Sequence, residues 1–181
     1  ALHGQKGIKE FWRGKSTITE QSVKQYIKFA RECSNSFDKN ILKSWDYDKI
    51  LKERTPASQE LLRKGMRLYK NTSIGQLRQR YCYQLIRLWR YSGQYDKAIR
   101  FYHREVLPNA EKNEIYYYTT DQVAGCYYMK ERYERAAYMF LELFEKSEDR
   151  KKSAYLSYDF CIRRGNDGDS LFQDASDTAT H

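Results

Sequence analysis

LIRLWRYSGQYDKAIRFYHREV, residues 85–106, and VAGCYYMKERYERAAYMFLELF, residues 123–144, read as two copies of one unit. Superimposed with Ala98 on Ala136, an offset of 38 residues, they place Leu85 on Val123, Trp89 on Tyr127, Tyr95 on Tyr133 and Tyr102 on Phe140. In each copy an apolar helical run, a short break and a second apolar helical run follow one another, the pattern of a helical hairpin. Hairpins recurring at such a period build a solenoid, in which each unit buries its apolar face only against its neighbours. That architecture puts function on an extended surface, not in an enclosed pocket.

The residues of the first copy divide the work of a hairpin between them. Gly93 supplies the positive φ that closes the first helix, Tyr95 packs across the turn, and Ala98 lets the two helices approach closely. Taken together, Leu85, Trp89, Gly93, Tyr95, Ala98 and Tyr102 resemble the tetratricopeptide repeat, with its large residue ending helix A, its Gly-x-Tyr turn and its small residue opening helix B. The second copy, with Val123, Tyr127, Tyr133, Ala136 and Phe140, departs from that pattern because Glu131 stands where the turn glycine would be. The offset also exceeds the family's usual period of about 34 residues. Neither copy ends in the family's usual proline, although Pro108 follows the first one closely. The resemblance covers residues 73–164. It implies an all-α, right-handed stack of antiparallel helix pairs, a tetratricopeptide-like α-solenoid of about seven helices. More loosely, the order WDYD, a helix, then YSGQYDKAI is similar to long bacterial proteins of helical repeats.

Composition agrees with an all-α fold. The chain has 181 residues, 40% of them hydrophobic, enough for one domain with a core. Two prolines and nine glycines leave long uninterrupted runs and too few turn signals for a multi-stranded sheet. Seventeen tyrosines suit helical repeats, since a ring fills the layer between helices while its hydroxyl reaches the wet edge. The net charge of +9 would suit nucleic acid or an anionic membrane surface. Lys and Arg are nevertheless interleaved with Asp and Glu in nearly every segment, as on solvated helix faces, and this is the reading we adopt. Cys33, Cys82, Cys126 and Cys161 stand 49, 44 and 35 residues apart, without the close spacing of a zinc knuckle or redox motif. The last three fall within helical runs beside apolar residues, where a thiol acts as a small core side chain. No run of 18 apolar residues provides a membrane span.

Along the chain, residues 1–16 form a basic lead-in, 17–164 a helical-repeat domain and 165–181 a polar, acidic tail. The tail is read as a cut within a longer array, and the start, which lacks an initiator Met, as that of a piece of something longer. Thr17 and Glu20 have capping-box spacing before a first helix over 18–34. Residues 34–55 form a connector with too many apolar groups to be a free linker. Thr55 before Pro56 reads as the cap of a second helix with Leu62, Met66 and Tyr69 inward. Ser73 caps the third helix, which reaches Tyr91. The fourth spans Tyr95–Val106, the fifth Asn113–Lys130 and the sixth Arg132–Lys146. Ser147 caps the seventh, which reaches Arg164.

Chemistry-bearing patterns are few. His3, His103 and His181 support no triad or three-histidine metal site, and His103 reads as a helix-surface residue. Asp46 with Asp48, and Asn166, Asp167, Gly168 and Asp169, are the groupings that suggest a cation, yet turn and capping roles explain both. No phosphate-cradling glycine loop, nucleophile elbow or kinase signature appears. The expectation is therefore no catalytic residue, no metal and no cofactor. Tyr116, Tyr117 and Tyr118 fan out over about 200° of helix surface, so one of them must be exposed or line a groove. The function expected is a protein-interaction scaffold that holds a protein or peptide segment on its concave face, with Arg87, Arg90, Tyr117, Gln122 and Tyr128 as its contact residues. The alternative is a nucleic-acid-binding solenoid with a basic, tyrosine-rich groove. Compartment and oligomeric state are not written in this sequence.

Overall fold

The computed structural model of the protein describes residues 17–38 and 47–166, with side chains over 19–36 and 58–165. Its described residues are all-helical. In chain order the elements are α1 (Thr17–Asp38), α2 (Tyr47–Asn71), α3 (Gly75–Tyr91), α4 (Tyr95–Phe101), α5 (Glu114–Met129), α6 (Tyr133–Lys146) and α7 (Lys151–Asn166). A π-type turn, Tyr102–Val106, extends α4, and a 3₁₀ turn, Glu148–Arg150, precedes α7. Among the described residues no helix is long and apolar enough to cross a membrane.

Each helix packs against its neighbours in sequence. In addition α3 lies against both α1 and α5, while α7 packs chiefly on α6. The positions that the two copies share carry the same packing duty. Leu85 and Val123 are completely buried, as are Ala98 and Ala136. Tyr102 and Phe140 are both buried, and Tyr95 and Tyr133 are both half-buried beside the core. Trp89 and Tyr127 differ slightly: Trp89 is half-buried against Phe101, whereas Tyr127 is buried and its hydroxyl bonds His103 Nε2 at 2.9 Å. His103 is thus an exposed residue with a tyrosine partner. Between the copies, the Tyr102 hydroxyl lies 3.0 Å from that of Thr120 and donates to that of Tyr116 at 3.2 Å, so the buried rings bring their polar ends together.

Both hairpin turns use one backbone device. Gly93 has φ 72°; its N–H donates to the Arg90 carbonyl at 3.1 Å, and the Gln94 N–H donates to the Trp89 carbonyl at 2.8 Å. Glu131 has φ 59°, with the equivalent bonds running from Glu131 to Tyr128 at 2.9 Å and from Arg132 to Tyr127 at 3.0 Å. This is the Schellman closure of a helix, which satisfies its last carbonyls through one left-handed residue. The departure of Glu131 from the repeat pattern is therefore one of side chain, not of backbone geometry.

Three expected helix starts are corrected. The second helix starts at Tyr47, not at Pro56, so Thr55 lies inside it and does not cap it. Tyr47, Ile50 and Leu51 already stand at helical spacing, and although an interior proline removes one backbone bond and crowds the carbonyl four residues before it, a helix can run on through it. Ser73 does not cap α3; Ile74 holds that position with no side-chain bond. Ser147 holds the cap position of the 3₁₀ turn, again without a side-chain bond, because that turn intervenes before α7. Asn113 does cap α5, its side chain accepting from the Tyr116 N–H at 3.2 Å. The connector residues 39–46 and the segments 1–16 and 167–181 lie outside the described residues.

Candidate functional site

A groove of about 350 Å³ is lined by Arg90 of α3, Gly125, Tyr128 and Met129 of α5, Phe140 of α6, and Ser157 and Phe160 of α7. Two of its apolar members are open to solvent, Met129 at 40% exposure and Phe160 at 58%. Helical glycine is costly unless something needs the space. At Gly125 the Arg90 guanidinium needs it: a Cβ there would come within 2.4 Å of that group. Arg90 then donates to the Gln122 side-chain oxygen at 3.0 Å. Among the described residues no carboxylate forms an ion pair with it, so the groove contains one cation and no anion.

Beside the groove, α5 is strapped by polar contacts to the Glu148–Arg150 turn that precedes α7. Asp121, buried in the middle of α5, pairs with Arg150, and Gln122 donates to the same carboxylate at 3.4 Å. Tyr118 donates to Asp149 at 2.8 Å, while the Arg150 guanidinium lies 5.8 Å from the Tyr118 ring centre. The carboxylate raises the Tyr118 pKa, since a phenol bonded to an anion holds its proton. Comparison with protein-family models, with curated proteins and with solved structures finds no match to this chain.

Of the five expected contact residues, the structure joins Arg90 to Gln122 by a hydrogen bond and brings Arg90 and Tyr128 to one groove. Gln122 is buried, and both ends of its amide are engaged. Tyr117 is half-buried with its ring edge-on to Tyr116 at 5.3 Å. Arg87 lies 5.8 Å from the Tyr91 ring and near Cys33 of α1. Of the tyrosine run, Tyr116 is buried, Tyr117 half-buried and Tyr118 turned to Asp149. Sequence reasoning missed Asp121, Gly125, Arg150, Ser157 and Phe160. A glycine and a carboxylate inside an otherwise apolar helix were the available signals.

A second cavity, about 260 Å³, lies at the α2–α3 turn and contains its own polar network. Arg78 donates to the Tyr69 hydroxyl at 2.9 Å, and that hydroxyl donates to Glu105 at 2.7 Å. Bonds from Arg104 and then Tyr69 hold the Glu105 carboxyl below its ordinary pKa. Burial pushes the Cys82 thiol in its wall up to about 12, which keeps it protonated near neutral pH. Among the described residues no group of three or more His, Cys, Asp or Glu is placed to hold a metal ion. The side chains of the two cation-suggestive groupings, Asp46 with Asp48 and Asn166–Asp169, lie outside the described residues.

Proposed function

We propose that the chain is a non-catalytic scaffold of tetratricopeptide-like repeats, a right-handed stack of antiparallel helix pairs that holds a protein segment against α3, α5 and α7. The observation that carries this reading is the groove at Arg90. Its cation has no acidic partner among the described residues, and Met129 and Phe160 expose apolar surface beside it. Such a combination suits a segment carrying an apolar anchor and a nearby carboxylate. Two further features support the repeat architecture: the repeated Schellman turns, and the contacts of α3 with α1 and α5, which make α1, α3 and α5 one layer.

The test is capture of a partner from lysate by the full chain at low and moderate salt, with and without nuclease, followed by measurement of its affinity. Arg90→Ala and Phe160→Ser should each weaken binding at least tenfold. Tyr138→Ser, which removes an equally exposed ring of α6 outside the groove, should leave it unchanged. Equal effects at all three positions would sink the groove assignment. Retention abolished by nuclease, or falling steeply with salt, would favour the nucleic-acid reading instead.

A further inference from the structure

The groove suggests a particular occupant from within the same chain. Residues 167–181 run DGDSLFQDASDTATH, with four aspartates, no Lys or Arg, and Leu171–Phe172 as the only large apolar residues. This is the chemistry the groove lacks: an apolar pair bracketed by carboxylates, opposite a cation among exposed apolar side chains. Helix α7 also exposes Lys152, Arg163 and Arg164, of which Arg163 pairs with Asp159 at 2.8 Å. Reach is sufficient. Six helical residues separate Phe160 from Asn166, a rise of about 9 Å, and Leu171 lies five residues further on, up to about 17 Å of extended chain. A second copy of this chain is a poorer occupant, since each carries +9.

Building on the proposed function, we propose that segment 167–181 seats in the groove, with Leu171–Phe172 against Met129 and Phe160 and a flanking aspartate at Arg90. Bound there, it competes with the external partner. Its effective concentration is set by the short tether, so a free partner must outcompete an intramolecular contact.

The experiment uses the full chain with paired cysteines under mild oxidation. The four native thiols are buried, with pKa values pushed up to about 12 at Cys33, Cys82 and Cys126 and about 11 at Cys161, so they compete poorly. Ser157→Cys with Gln173→Cys should close an intramolecular disulfide at least tenfold faster than Asp159→Cys with Gln173→Cys. Position 159 is closer to the tether but does not line the groove. Phe172→Asp should abolish that preference and raise partner affinity. Equal closure rates would overturn the proposal, and so would a disulfide forming between two copies. If the rates are equal yet Arg90→Ala and Phe160→Ser still abolish capture, the groove binds an external partner and only self-occupancy falls.

Discussion

Glu131 is the residue that stands where the first copy has its turn glycine, and it adopts a left-handed φ of 59° on an exposed turn. A side chain in that conformation crowds its own backbone by about 1–2 kcal/mol, a strain that glycine avoids at the expense of a more flexible unfolded chain. Glu131→Gly should therefore raise the unfolding free energy by about 1 kcal/mol, read as a shift in urea midpoint at constant slope. Gly93→Ala, at φ 72°, should lower it by a similar amount. A Glu131→Gly variant no more stable than the parent would show that the turn is not left-handed in solution. The Schellman turn at Gly93 was legible in the sequence because glycine advertises it; the one at Glu131 was legible only through its alignment with the first copy.

Helix α5 depends on contacts that bridge to the turn before α7. Asp121 is buried and pairs with Arg150 across the turn that leads into α7. Removing one partner of such a pair leaves a desolvated charge, whereas removing both charges together restores much of the loss. Arg150→Ala should destabilise by about 2 kcal/mol, and adding Asp121→Asn should recover roughly half of it. Thermal unfolding of the two single variants and the double variant measures this coupling, and additive losses would refute the strap. No sequence pattern exposed this contact, because 29 residues separate the partners and each charge looks like part of a solvated face. Element boundaries failed for a related reason. Thr55-Pro56 carried a good local start signal for α2, but the apolar spacing of Tyr47, Ile50 and Leu51 prevailed over it. Where local and periodic signals agreed, as at the end of α3 and the start of α4, the boundaries matched.

At the scale of the molecule, the groove was illegible because Arg90, Met129 and Phe160 belong to three different helices, α3, α5 and α7, that meet only once the chain folds. The core is different, since three of its thiols were expected to be small packing residues and four separate helices each bury one. Cys33 lies on α1, Cys82 on α3, Cys126 on α5 and Cys161 on α7. Desolvation is the leading cause at all four, and at Cys126 it outweighs the nearby Arg90 and pushes the thiol from 9.0 up to about 12. A thiol whose folded pKa is raised keeps its proton in the native state while the unfolded chain has lost it. Its contribution to stability is therefore fully present below pH 9 and is lost as pH rises towards 12. Each such thiol makes the unfolding free energy fall by about 1.4 kcal/mol per pH unit within that window. Tyrosines and lysines titrate there too, so the informative quantity is the difference between parent and Cys126→Ala. The variant's stability should decline less steeply between pH 9 and 11, by about one proton's worth of slope in urea titrations at each pH. If the two slopes are identical, Cys126 is solvated in the folded chain and the α3–α5–α6 core is not closed around it.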